Sequence, residues 1–291
     1  MIPPSFDYHA PQTLREAIEL LGRYGDEAKV LSGGQSLLPM LKLRLAQPAH
    51  LVDIGKIPGL EYVEEKDGVL AIGGRTREAA LERSEIVRSR YPLLADTAAV
   101  IADPIVRNLA TVGGNLAHGD PANDHPAAMI ALGARVVATG PKGQREIAID
   151  DLFTGLFTTA LAPDEILTEI RVPKAAPRSG GAYEKLERKV GDFATAAAAV
   201  QLTLSAKGEV ERVGIALTNA GPTPVKAKDA ERYLAGKKLD DAAVAEAARL
   251  AAKAANPTAD RRGTVEYKRE MARVLTARAL RRAAQRAAGG R

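Results

Sequence analysis

Hydrophobic positions along this chain recur with two periods, and the period changes mark its elements. Across residues 13–24 Leu14, Ile18 and Leu21 fall at helical spacing, with Ala17 beside them. Thr13 and Glu16 form a capping-box pair at the start, and Gly25 ends the helix. Residues 29–31 read as a short buried strand, Ser32-Gly33-Gly34-Gln35-Ser36 as a glycine turn, and residues 37–45 as a second helix. Strand, glycine turn and helix together bring backbone N–H groups to one spot, the local geometry that binds phosphate. A strand over residues 50–54 closes this small unit near Lys56.

A second unit begins at Leu60. Tyr62-Val63 and residues 69–72 flank Lys66-Asp67-Gly68, a hairpin signal. Thr76 is expected to cap a helix that runs through Leu81, and residues 92–102 form another that ends near Pro104. Residues 126–132 read as a helix, residues 135–138 and 144–149 as strands around Gly140-Pro141-Lys142-Gly143, and residues 166–172 as the last strand. Residues 173–181 hold prolines and glycines and read as a linker.

Beyond the linker the pattern gives strands over residues 182–186, 194–204 and 210–217, then helices over 228–234, 240–255 and 264–287. The alanine run over 196–199 suits a helix, but it continues as Val200-Gln201-Leu202-Thr203-Leu204 into a Lys207-Gly208 hairpin, so strand is preferred. The fold class is α+β. The first domain spans 1–177, with lobes of about 1–56 and 57–177, and the second spans 178–291 with a three-stranded antiparallel sheet and helices.

The 291 residues are enough for two cores. The chain has no cysteine, which excludes disulfides, thiolate-held iron–sulfur clusters and a thiol nucleophile, and which suits the cytoplasm. No apolar run reaches membrane-spanning length, and the first residues lack the basic-then-apolar order of a signal peptide. The net charge of +5 is concentrated near the end, where Lys268, Arg269, Arg273, Arg278, Arg281, Arg282, Arg286 and Arg291 are opposed only by Glu270. These bases are too many to bury unpaired, so the last helix is expected to face solvent or a partner.

Chemistry gathers around a second glycine turn, Thr111-Val112-Gly113-Gly114-Asn115. Two glycines between a hydroxyl and an amide let another surface approach the backbone, and successive N–H groups can form a nest for an anion. Nine residues after Asn115 comes Asp124, either a fixed acceptor for a ribose hydroxyl or a turn or cap before Pro126. Two such turns suggest two walls of one diphosphate site. Neither matches G-x-G-x-x-G or the P-loop.

The segments V-L-S-G-G-Q-S-L-L-P, D-P-I-V-R-N-L-A-T-V-G-G-N and Y-E-K-L-E-R-K-V-G-D-F-A-T-A-A-A-A-V resemble the FAD-binding medium subunit of the xanthine dehydrogenase family of molybdenum hydroxylases. Within that family I-P-P-S-F-D-Y-H, G-D-P-A-N-D-H-P-A and R-R-G-T-V-E-Y-K-R-E-M-A are most similar to the medium subunits of aerobic carbon monoxide dehydrogenases, whereas Arg107-Asn108-Leu109-Ala110 follows the general family. The likeness covers almost the whole chain. It implies a two-lobed FAD-binding domain of the PCMH/VAO-like type, with a C-terminal α+β domain behind it. It implies that Lys29, Val30, Leu31, Ser32, Gly33, Gly34, Gln35 and Ser36 wrap the FAD diphosphate, with Thr111, Val112, Gly113, Gly114 and Asn115 as the second wall. Asp124 would hold the ribose and Ile101 would lie near the flavin ring. Leu167 and Lys185 match further cofactor positions, and Phe193 stands where close relatives carry an aromatic over the ring. The implied partners are a large subunit with the molybdenum cofactor and a small subunit with [2Fe-2S] clusters, assembled as a dimer of heterotrimers. Electrons would pass from those clusters through FAD to an external acceptor. The carbon substrate would be carbon monoxide, or else an N-heterocycle or aldehyde.

Other constellations compete poorly. His118, Asp120, Asp124 and His125 lack a recurrent metal-ligand spacing. No G-x-S-x-G elbow supports a serine triad. A stand-alone flavin oxidoreductase would need acid and base residues over the ring. The basic last helix has no interleaved aromatics beyond Tyr267, which argues against nucleic acid as a partner. His9 and His50 read as structural.

Overall fold

A computed structural model describes residues 2–289. Its first lobe contains β1 (Asp7–His9), α1 (Leu14–Tyr24), β2 (Ala28–Leu31), α2 (Leu37–Lys42) and β3 (His50–Asp53). The strands are parallel in the order β1-β3-β2. Thr13 caps α1 by accepting from the Glu16 N–H, and the stripe residues Ala17 and Leu21 are buried. Tyr24 stacks on both His9 and His50, with ring centres 5.3 and 3.7 Å away, while the two histidine rings are tilted to one another.

The second lobe comprises β4 (Val63–Lys66), β5 (Val69–Gly73), α3 (Glu78–Arg83), α4 (Glu85–Arg90), α5 (Pro92–Val100), α6 (Pro104–Arg107), α7 (Val112–His118), α8 (Asp124–Leu132), β6 (Arg135–Gly140), β7 (Gly143–Ala148), α9 (Ile149–Leu152), β8 (Phe153–Gly155), β9 (Thr158–Thr159) and β10 (Ile166–Pro173). Its five-stranded antiparallel sheet has the order β4-β5-β10-β6-β7. Thr76 does not cap α3 as expected. Its hydroxyl is taken by Tyr62, bonding the N–H and the carbonyl of that residue, and Arg77 stands at the cap without a capping side-chain bond. The short α4 and α6 carry too few residues to show a period.

The C-terminal part contains β11 (Ser179–Leu186), β12 (Ala196–Leu204), β13 (Val210–Thr218), β14 (Val225–Lys226), α10 (Lys228–Leu234), α11 (Asp241–Ala254) and α12 (Val265–Ala287). The sheet is four-stranded rather than three-stranded, because the two-residue β14 adds to β13. A two-residue strand has no alternation to detect. The expected linker also shrinks: β10 runs through Pro173 and β11 starts at Ser179.

The alanine run is a strand for a visible reason. Successive strand residues face opposite sides. Ala197 and Ala199 enter the core of the second lobe, whereas Ala196 and Ala198 enter the core built on the C-terminal helices. Both faces are covered, and the cover is close. A Cβ on Gly214 would lie 2.1 Å from the Ala131 carbonyl oxygen of α8, and one on Gly180 2.1 Å from the Ala283 carbonyl oxygen of α12. Small residues admit backbones at this distance and larger ones would not.

The basic helix α12 buries an apolar face and turns much of its basic face, Arg278, Arg281 and Arg282, to solvent, as the sequence suggested, while other bases are paired within the chain. Ala272, Leu275, Ala279, Leu280 and Ala283 along it are buried in the C-terminal core. Lys268 is 2 % exposed and bonds Asp260 and the Thr258 carbonyl. Arg282 and Arg286 reach Asp96 on α5, and Arg286 also donates to the Gly181 carbonyl. The counter-charges lie far away in sequence, so a local count made the helix look unpaired. Arg291 lies outside the described residues.

Candidate cofactor cleft

The β2–α2 loop, the start of α7 and the stretch around residues 157–165 line a cleft of about 430 Å³. This lies within the range of small-molecule sites. Lys29, Val30, Ser32, Gly33, Gly34, Gln35 and Ser36 line it from one side, and Thr111, Gly114 and Asn115 from the other. The two sides touch: Ser32 Oγ and Thr111 Oγ1 are 3.0 Å apart. The two glycine segments therefore converge on one space.

They do not contribute alike. In the first, Gly34 has φ of +73°, the left-handed conformation glycine accepts without strain. Among the described residues, the N–H groups of Gly33, Gly34, Gln35 and Ser36 have no protein acceptor. Consecutive donors of this kind are what a backbone nest for an anion requires. The second segment is no free turn. It is the first turn of α7, with Thr111 as its cap. The Val112 N–H bonds the Thr76 carbonyl, the Gly113 N–H bonds Gly74, and the Gly114 N–H bonds Thr111 Oγ1. Donors already bonded to protein are not available to a phosphate. Val112 and Gly113 are buried beneath the wall instead of lining it.

The glycines also serve a purpose that the sequence reading did not assign. A Cβ on Gly33 would sit 2.2 Å from the Leu109 carbonyl oxygen, and one on Gly113 2.3 Å from that of Gly74. They let backbone meet backbone, between the two lobes at Gly33 and within the second lobe at Gly113. Gly114 differs, since its Cβ would meet the Thr111 hydroxyl at 2.6 Å.

The rest of the expected site forms a second cluster beside the cleft. Asn123 donates to the Asn115 carbonyl, tying the start of α8 to the cleft wall. Asp124 begins α8 and is no cap. One carboxylate oxygen accepts from the Tyr183 hydroxyl at 2.7 Å and the other from Lys185 Nζ at 2.9 Å. Lys185 also donates to the Val100 carbonyl at the end of α5, next to buried Ile101. Burial pushes the Asp124 carboxyl above its usual range, against the pull of Lys185. Tyr183 is raised well above its ordinary value, first by burial and then by the Asp124 charge. Leu167 packs in the core of the second lobe. Phe193 is 48 % exposed, with the Arg262 guanidinium over its ring. Arg262, the strongest influence, and Arg188 pull Asp192 beside it down to about 2.

The candidate metal residues separate. His118 lines the cleft, Asp120 accepts from the Ala122 N–H, and His125 is fully buried against Glu78 at 2.7 Å. No metal-holding group of acids, histidines or cysteines occurs among the described residues. His118 and its neighbour Phe157, 5.2 Å between ring centres, are cleft residues that sequence reasoning missed. Phe157 sits in an irregular loop at φ of +53°, and no periodic signal announces it. Burial holds His118 below its ordinary value, so it is neutral at pH 7. A protonated imidazole would attract an anion. Affinity for an anionic ligand should therefore be flat between pH 7 and pH 8 and strengthen through His118 only on acidification. A titration of wild type and His118→Phe at several pH values checks this.

The cleft suits a dinucleotide such as FAD by its own chemistry. Among the described residues, N–H donors without a protein acceptor line the cleft, and the buried Asn115 Oδ1 at its wall has no hydrogen-bond partner. Comparison with known proteins agrees. The family described as the FAD binding domain in molybdopterin dehydrogenase matches residues 4–175, and the CO dehydrogenase flavoprotein C-terminal domain matches residues 181–283. The carbon monoxide dehydrogenase medium chain of Hydrogenophaga pseudoflava is 48% identical over 96% of this chain and 97% of its own. That of Afipia carboxidovorans is 45% identical over 99% of both. The structure of reconstituted CO dehydrogenase from Oligotropha carboxidovorans superposes with a TM-score of 0.96 at 45% identity, covering 98% of this chain and 100% of that one. The chain thus belongs to the FAD-binding medium chains of the molybdopterin dehydrogenases, with the C-terminal domain of the CO dehydrogenase flavoproteins.

Proposed function

We propose that this chain carries FAD as the electron-transfer subunit of a molybdenum hydroxylase complex that oxidises carbon monoxide. The observation that carries the reading is the cleft with four unbonded N–H donors, in a chain alike over its full length to carbon monoxide dehydrogenase medium chains. In this reading Gly33, Gly34, Gln35 and Ser36 hold the diphosphate, and Thr111, Gly114 and Asn115 close the opposite wall. Asp124 keeps lone pairs for a ribose or ribityl hydroxyl while it holds Tyr183 and Lys185, because a carboxylate accepts about four bonds. Ile101, Lys185 and Phe193 stand toward the ring end. When bound, FAD supplies two-electron chemistry that no side chain here can perform. The chain's own residues bind it, orient it and exclude water.

The molybdenum cofactor and the iron–sulfur clusters belong to partner chains in this reading, since a chain without cysteine cannot hold such clusters. A dimer of heterotrimers in the cytoplasm completes it. Among the described residues no helix is long and apolar enough to cross a membrane. The experiment is co-purification with the products of neighbouring genes, followed by metal and flavin analysis. Acid precipitation should release FAD into the supernatant, and carbon monoxide should bleach the flavin band of the complex. Flavin that stays in the pellet, or bleaching only by an aldehyde or a heterocycle, would overturn the corresponding half of the reading.

A further inference from the structure

Three consecutive carbonyls at the end of α5 are held by two buried cations. Lys185 Nζ takes the Val100 carbonyl at 2.9 Å. Arg107 Nη1 takes both of the next two, Ile101 at 2.8 Å and Ala102 at 3.0 Å. The last carbonyls of a helix lack intrahelical partners and carry its negative end, so basic side chains belong there. Arg107 is 9 % exposed, and its other edge is fixed by Glu82, with Nε to Oε2 at 3.0 Å and Nη2 to Oε1 at 3.2 Å. A guanidinium, with five N–H donors, makes these four bonds at once, and an ammonium with three donors cannot.

What Arg107 holds is not relaxed backbone. Ala102 has φ of +48°, a conformation that disfavours any residue with a Cβ. Such a conformation persists only where the surroundings impose it, and it tends to mark functional segments. The loop that carries Phe193 packs on the same residue. A Cβ on Gly191 would lie 3.2 Å from the Ala102 carbonyl carbon. Ile101, Lys185 and Phe193 therefore share one support, and Arg107 is the group that pins it.

We propose that Arg107 is a positioning residue for the flavin: it clamps the Ile101–Ala102 peptide, and through it the ring-facing edge formed with Lys185 and the loop before Phe193. This rests on the reading that the ring lies beside Ile101. Because Glu82 balances its charge, Arg107 acts by fixing geometry instead of adding a field. Its loss should change both how tightly FAD binds and how unequally the oxidised and reduced rings are held.

The test uses the complete chain with FAD, in complex with its partners. Arg107→Met, Arg107→Lys and Glu82→Gln are measured for FAD dissociation constant, flavin midpoint potential and melting temperature, with Ile101→Ala to report the ring's place. Arg107→Met should weaken FAD about tenfold, the loss expected for a charge-assisted bond, and shift the potential. Arg107→Lys should recover part of both, and Glu82→Gln should move both in the direction of Arg107→Met by less. A shifted flavin absorption band in Ile101→Ala, with wild-type affinity and potential in Arg107→Met, would refute the clamp and keep the site. A lower melting temperature without a potential shift would also refute it and leave Arg107 a structural residue. An unaltered band in Ile101→Ala would instead remove the ring from this place and the proposal with it. If Arg107→Met fails to fold, the lysine and glutamine variants decide by the same criteria.

Discussion

Replacing Lys185 by methionine should cost the chain about 3–5 kcal/mol of stability near pH 8, the penalty for leaving a buried charge without its partner. The orphaned group is Asp124, with 7 % of its side chain exposed, which would keep only the Tyr183 hydroxyl. The cost should depend on pH, and its sign can be worked out. Burial already raises the Asp124 carboxyl above its unfolded value, and removing the cation raises it further. A raised carboxyl binds its proton more tightly in the folded chain. Stability in the variant is therefore fullest at low pH and is lost as pH rises through the folded value. Urea titrations of Lys185→Met from pH 5 to pH 9 should show a midpoint falling with pH more steeply than in wild type. Adding Asp124→Asn should remove that extra slope. A slope equal to the wild type's would mean that losing the cation does not raise the Asp124 carboxyl in the folded chain.

The second large effect is at Gly113. Gly113→Ala should destabilise by about 3 kcal/mol, the upper end of ordinary overpacking, since the new carbon meets a carbonyl oxygen that cannot swing aside. Flavin occupancy should fall together with the unfolding midpoint, because the substitution acts on the joint beneath the cleft. Gly114→Ala is the comparison. Its new carbon meets only the Thr111 hydroxyl, so the cost is about 1 kcal/mol, that of a lost helix cap. Equal midpoints for the two variants would show that the backbone contact at Gly74 yields. The same logic predicts a severe effect for Gly33 against Leu109.

What the sequence revealed depended on how local the cause was. The cap at Thr13 was readable because a capping side chain acts within three residues. Residues 228–234 were readable as α10 and the alanine run as strand because each is settled by spacing and a nearby turn. The two glycine segments were readable as partners of one cleft. Their division of labour was not, since the α7 N–H groups are taken by Gly74 and Thr76, dozens of residues upstream. Thr76 looked like a cap for the same reason, as its true partner Tyr62 lies across a sheet. The arginines of α12 looked unpaired because Asp96 is 186 residues from Arg282. The bond of Asp124 to Tyr183 also crosses between domains.

Strand β12 lends alternate side chains to two cores, and that bears on how such a chain can be rearranged over evolutionary time. The obvious place to divide it is the stretch near residue 175, where a gene fission or a fusion with a foreign module would cut the least structure. Yet a piece ending there would leave unfilled the space taken by Tyr183, Ala194, Ala197, Ala199 and Ala216. Its α8 would also lose the Gly214 backbone that rests on Ala131. The heritable unit is therefore wider than the cofactor domain: any shuffled descendant must bring β11 to β13 along, or evolve a new cover for that face of the sheet.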